Sequence, residues 1–140
     1  MRTSRPILLV EDDRVDAMTV LRALKEIRVK NPIETAIDGE RAIEILSRSK
    51  EGLPCLILLD LKMPRMGGLE FLSVVKQNPL WRRIPVVVLT SSREEQDKIA
   101  SYDLGVAGYI VKPVDYEQFV KVVRTIDLYW TLSEIPNEVE

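Results

Sequence analysis

Leu56-Ile57-Leu58-Leu59, running straight into Asp60, is the stretch whose reading decides the fold. Four consecutive apolar residues make a strand-length run that does not alternate, as expected of a strand covered on both faces in a parallel sheet. Ile7-Leu8-Leu9-Val10 repeats the pattern upstream and runs into Glu11-Asp12-Asp13. Val86-Val87-Val88-Leu89 repeats it downstream and runs into Thr90-Ser91-Ser92. Ile33-Glu34-Thr35-Ala36-Ile37 alternates and reads as an edge strand, and the short Tyr109-Ile110-Val111, followed by Lys112-Pro113, reads as the other edge.

Amphipathic stretches lie between these runs. Ala17, Leu21, Leu24 and Arg28 mark one helical stripe, with Met18 beside it. Ala42, Ile43, Ile45 and Leu46 mark a second, opened by Asp38-Gly39 and closed before Gly52 and Pro54. Leu69, Leu72, Val75 and Lys76 give a third, ended by Asn78-Pro79. A fourth begins near Ser92, with Glu95 placed to complete a capping box, and stops at Gly105. The fifth carries Phe119, Val122, Val123, Ile126, Tyr129 and Trp130 at helical spacing. Strands and helices that alternate five times predict an α/β fold: a doubly wound parallel sheet with helices on both faces. Right-handed crossovers then point every strand the same way, so the carboxyl ends share one rim, and open sheets of this kind bind ligands there.

Composition narrows the chemistry. A chain of 140 residues fits one domain. With 46% hydrophobic and 30% charged residues it has the profile of a soluble globular protein. A net charge of −2 gives no electrostatic case for nucleic acid or an anionic membrane. No apolar run has the length of a signal-peptide core or a membrane span, so the cytoplasm is the expected compartment. The single cysteine, Cys55, excludes an internal disulfide and reads as a buried thiol. There is no histidine, which removes Ser-His and Cys-His nucleophile pairs and histidine metal sites. Carboxylates, lysine and hydroxyls are left to do the chemistry.

Those residue types fall on the shared rim: Glu11-Asp12-Asp13 after the first strand, Asp60 at the end of the third, Thr90-Ser91-Ser92 after the fourth and Lys112 after the fifth. Each has a plainer reading by itself, as a solvated loop, a helix cap or a turn. Together they put two or three carboxylates near one another, which is unfavourable unless a cation joins them. An all-oxygen set suits a hard ion such as Mg²⁺. A carboxylate nucleophile, a hard cation, an ammonium and a hydroxyl are the parts that in-line phosphoryl transfer requires.

Four segments in order carry a family resemblance: Leu8-Leu9-Val10-Glu11-Asp12-Asp13; Leu58-Leu59-Asp60-Leu61-Lys62-Met63-Pro64-Arg65-Met66-Gly67-Gly68; Val88-Leu89-Thr90-Ser91; and Gly108-Tyr109-Ile110-Val111-Lys112-Pro113. They resemble the signature of two-component response regulator receiver domains. The resemblance implies a flavodoxin-like five-stranded sheet of order 2-1-3-4-5 with five helices. It implies that Asp60 takes a phosphoryl group from a histidine kinase. Asp12, Asp60 and the Lys62 carbonyl would hold Mg²⁺, with Glu11 helping through water. Lys112 and Thr90 would contact the phosphoryl oxygens, and Tyr109 would follow Thr90 as the switch. Lys62 stands where the family often has Asn, and Gly67 where it often has Asp. The resemblance implies that the residues at positions 62 and 92 influence phosphate lifetime.

The expected layout is a receiver domain over residues 1–127, then a helix extension and tail over 128–140, with no attached output domain. The tail from Asp127 to Pro136 and the segment Asn78-Pro79-Leu80-Trp81-Arg82-Arg83-Ile84-Pro85 resemble those of single-domain regulators paired with bacterial phytochromes. A phytochrome kinase is therefore a candidate donor. Tyr109, Val111, Tyr116 and Val120, with Tyr129 and Trp130 beyond, suggest a homodimer through the fourth helix, fifth strand and fifth helix. The expected role is a switch, not an enzyme. A haloacid dehalogenase-type phosphatase would need an acid where Lys62 stands. A flavodoxin would need a phosphate loop where Glu11-Asp12-Asp13 would repel one.

Overall fold

The computed structural model describes residues 5–26, 28–48, 52–61, 65–90, 105–112, 115, 117–121 and 124, and of Thr90 the backbone alone. Its strands are β1 (Ile7–Val10), β2 (Ile33–Ala36), β3 (Leu56–Asp60), β4 (Val86–Thr90) and β5 (Gly108–Val111). They form one sheet of order β2-β1-β3-β4-β5, parallel throughout. Between them lie α1 (Arg14–Glu26), α2 (Gly39–Arg48), α3 (Gly68–Gln77) and a 3-10 turn over Trp81–Arg83. Residues 117–121 and 124 are helical and belong to the expected fifth helix, whereas the fourth, over 92–104, lies outside the described residues. The architecture is the flavodoxin-like one the sequence implies.

The unbroken apolar runs have a simple cause. Successive side chains of a strand point to opposite faces, and both faces here are covered. Leu8, Val10, Ile57, Leu59, Val86 and Val88 pack with Ala42, Ile45 and Leu46 of α2 and Phe71, Leu72 and Val75 of α3. Ile7, Leu9, Leu56, Leu58, Val87 and Leu89 pack on the other face with Val20, Ala23 and Leu24 of α1 and with Phe119. Each valine, leucine, isoleucine or phenylalanine fully withdrawn from water contributes about 1.5–3 kcal/mol. β2 alternates because it is an edge: Ala36 is buried and Thr35 exposed.

Two helical stripes differ from the sequence expectation. On α1 the buried positions are Val20, Ala23 and Leu24, while Ala17 and Leu21 are partly buried. Met18 is exposed, and Arg28 lies beyond the helix with a left-handed φ of 62°. A chain leaving a helix commonly adopts that conformation, so Arg28 marks the helix end, not its apolar face. On α3 the stripe missed Phe71, which is fully buried beside Leu72 and Val75.

Cys55 is buried, with Sγ 3.5 Å from the Arg5 carbonyl and 3.7 Å from the Asn31 side-chain nitrogen. It precedes β3, at the end of the sheet opposite Asp60.

Candidate functional site

β1 and β3 are neighbours in register, Val10 beside Leu59, so the residues at and just past their carboxyl ends meet at the rim. Glu11, Asp12 and Asp60 each bring a carboxylate oxygen to a cluster in which these atoms lie within 4.8 Å of one another. Glu11 and Asp60 are buried and Asp12 is exposed. Asp13, the third acid of the run, does something else. Its Oδ1 accepts the Asp16 N–H at 2.9 Å and its carbonyl accepts the Ala17 N–H at 2.9 Å, which starts α1.

Lys112 lies directly after β5 and reaches across the sheet. Its Nζ lies 3.2 Å from Asp60 Oδ1, 3.1 Å from Glu11 Oε2 and 3.0 Å from Asp16 Oδ2. Burial works against the ammonium, but the Asp16 hydrogen bond and the charges of Asp60 and Glu11 outweigh it and raise the lysine above its ordinary pKa. Glu11 Oε2 is buried, and its contact with the ammonium falls short of good hydrogen-bond geometry. Burial first, then the hydrogen bond to Asp60, pushes the Glu11 carboxyl up to about 8, against the Asp13 N–H and the Lys112 charge. One ammonium therefore faces three carboxylates, and one of them is driven toward its neutral form. A buried carboxylate oxygen without a donor, in an all-oxygen cluster short of positive charge, fits a hard divalent cation.

Glycines fix the backbone beside Asp60. The Gly68 N–H donates to the Leu61 carbonyl at 3.1 Å, and a Cβ on Gly68 would lie 2.5 Å from the Asp60 carbonyl oxygen and from Leu61 Cα. The Gly39 N–H donates to the Met66 carbonyl at 3.2 Å, joining the start of α2 to the loop after β3. Asp38, almost wholly buried, accepts the Arg41 N–H at 2.8 Å and pairs with Arg65 Nε at 3.6 Å. Arg65 has a φ of 57°, an uncommon conformation for a residue with a side chain.

Of the expected site residues, Glu11, Asp12, Asp60 and Lys112 come together. Thr90 ends β4, in register with Val111, and its side chain lies outside the described residues, as do Lys62, Ser92 and Pro113. Tyr109 is half-buried and packs against the α2–α3 side of the core. Val111 is half exposed on the sheet edge, while Tyr116, Tyr129 and Trp130 lie outside the described residues. Sequence reasoning missed Asp16. The available signal was its place: it stands in the first turn of α1, the helix that leaves the rim directly after the acidic run.

Comparison with known proteins agrees with this geometry. The profile of the response regulator receiver domain matches residues 7–124. The chain is 41% identical over 128 residues to response regulator Rcp1 of Synechocystis sp., covering 89% of this chain and 87% of that protein. The bacteriophytochrome response regulator RtBRR superposes with a TM-score of 0.83 at 45% identity, over 89% of this chain and 78% of that one. The Mn²⁺-bound form of Rcp1 superposes with a TM-score of 0.72 at 40% identity, over 92% of this chain and 96% of that one.

Proposed function

The chain belongs to the response regulator receiver domain family, and on that premise we propose that Asp60 accepts a phosphoryl group from a phosphohistidine of a partner kinase. The observation that carries this reading is the Lys112 ammonium 3.2 Å from Asp60 Oδ1, on a rim where Glu11, Asp12 and Asp60 bring oxygens within 4.8 Å.

An Asp60 carboxylate oxygen attacks phosphorus, the phosphorus–nitrogen bond of the donor breaks, and the imidazole leaves with the electron pair. Lys112 donates to the phosphoryl oxygens as charge moves onto them, and the Thr90 hydroxyl does the same from the next strand. Asp12, Asp60 and the Lys62 carbonyl, with Glu11 through water, are the groups that would hold Mg²⁺, whose charge offsets that of the incoming oxygens. Thr90 moving toward the phosphoryl group makes room for Tyr109 to turn inward, which changes the face around β5.

Receiver domains of this family are signalling proteins, and the proposed role is a switch without turnover of a small substrate. These 140 residues contain no histidine, so the donor phosphohistidine lies outside them. Similarity to a bacteriophytochrome response regulator supports a phytochrome-type kinase as donor. Among the described residues no helix is long and apolar enough to cross a membrane, which agrees with a cytoplasmic role. The proposed receiver domain of 1–127 is supported by the match over 7–124, while the expected extension and tail over 128–140 lie outside the described residues. Val111, half exposed beside Tyr109, supports a homodimer through the β5 face.

Treatment with acetyl phosphate and Mg²⁺ and then intact-mass measurement tests the reading. Wild type should gain one phosphoryl group and Asp60→Asn none. No gain in wild type, or an equal gain in Asp60→Asn, overturns it.

A further inference from the structure

We propose that Asp16 is a positioning residue for Lys112: it holds the ammonium over Asp60 from the first turn of α1. This inference rests on the phosphoryl-transfer roles of Asp60 and Lys112.

Three carboxylates surround the Lys112 ammonium, at 3.0, 3.1 and 3.2 Å. Two of them, Glu11 and Asp60, belong to the acidic cluster. Both are committed to other work, one as the phosphoryl acceptor and one beside the cation. Asp16 is outside the cluster, and its Oδ2 accepts a hydrogen bond from Nζ at 3.0 Å. Glu11 Oε2 also touches the ammonium, at 3.1 Å, but from within the acidic cluster.

The need for a third partner comes from the topology. Lys112 sits just past β5, the edge strand, and β4 separates β5 from β3. The side chain must cross that interval to meet Asp60. A lysine stem is long and has many rotamers, so an ammonium placed at the far end of it is poorly defined without an anchor. Asp16 supplies the anchor from a rigid base, because its own N–H is bonded to Asp13 Oδ1 and the next N–H to the Asp13 carbonyl. When phosphorylation changes the Asp60 carboxylate into an acyl phosphate, Asp16 is still there to aim the ammonium.

The test measures the rate of phosphorylation by acetyl phosphate at saturating Mg²⁺ in wild type, Asp16→Ala, Asp16→Asn, Asp16→Glu, Lys112→Ala and the Asp16→Ala/Lys112→Ala pair. Misplacing a catalytic group by an ångström can cost about 100-fold, so loosening one is expected to slow Asp16→Ala by about tenfold. Asp16→Asn keeps the shape and loses the charge, so it should lie between Ala and wild type, and Asp16→Glu should recover part of the rate. In the Lys112→Ala background, Asp16→Ala should have no further effect. A purely structural role would slow both backgrounds equally, and that result overturns the proposal. So does a rate in Asp16→Ala and Asp16→Asn equal to wild type while wild type is phosphorylated on Asp60. A wild type that takes no phosphoryl group defeats the functional reading itself.

Discussion

Gly68 and Asp60 approach more closely than any side chain at position 68 would permit, with an added Cβ falling 2.5 Å from the Asp60 carbonyl oxygen. Two effects compete in Gly68→Ala. Alanine in a helix is worth about 1 kcal/mol over glycine. Pushing a methyl group into packed backbone costs about 1–3 kcal/mol and shifts the atoms it meets. Backbone cannot swing aside as a flexible side chain can, so the clash wins. We expect Gly68→Ala to lower the stability and to slow phosphorylation, whereas Gly67→Ala, with open space around it, should do neither. Urea denaturation and the acetyl phosphate assay on the two variants decide this.

Asp12→Ala removes an exposed member of the acidic cluster and should leave the fold intact. Even partners outside a metal's own ligands typically matter about 10- to 100-fold, so Mg²⁺ affinity should fall by more than about tenfold. Intrinsic fluorescence titration with Mg²⁺ or Mn²⁺ measures it. Wild type treated with EDTA should likewise resist phosphorylation, because the carboxylates would face an anionic donor with one ammonium to offset them.

The metal-free protein should show a specific pH dependence. Glu11 has its carboxyl raised from 4.5 to about 8, so the folded state binds this proton more tightly than the unfolded state. The stabilisation from that proton is complete below pH 4.5 and is lost as pH rises through about 8. In EDTA, wild-type Tm should therefore decline across this window relative to Glu11→Gln. For the same reason apparent Mg²⁺ affinity should rise with pH up to about 8, since the cation must displace the proton. Parallel Tm profiles for the two proteins would contradict this.

Val120→Asp tests the proposed dimer. Val120 lies on the helical stretch 117–121, whose Gln118 side chain bonds the Val111 backbone at the edge of β5. A charge placed at the centre of an apolar interface should weaken association by more than about tenfold. Sedimentation velocity with and without acetyl phosphate, beside a melting curve to show that the variant folds, gives the answer. A wild type that stays monomeric in both conditions moves the output to a different protein.

Much of the fold was legible because the sheet's two-sided burial leaves a direct trace. Leu56 to Leu59 cannot alternate when Leu56 and Leu58 face α1 while Ile57 and Leu59 face α2 and α3. The carboxylates and Lys112 were legible for a topological reason, since each lies at or just past a strand's carboxyl end and parallel strands end together. Less was legible in the helices, where an exposed Met18 and a buried Val20 are both apolar and the stripe could be drawn through either. The loop anchors were harder still. Asp38 reads as a helix cap, which it is, but its second partner Arg65 comes from another loop that no local pattern connects to it. Asp16 was missed because its meaning depends on a lysine contributed by the far edge of the sheet.

The Lys112–Asp16 hydrogen bond joins residues 96 positions apart. Synthesis proceeds from the amino terminus and domains begin to organise as they emerge. The acids of β1 and α1 and the acid of β3 are thus made, and can gather, well before the ammonium that balances them. A nascent chain stopped short of residue 112 holds the repulsion without its remedy. The site receives its one lysine late, so a molecule still incomplete at that point cannot present a finished receiver.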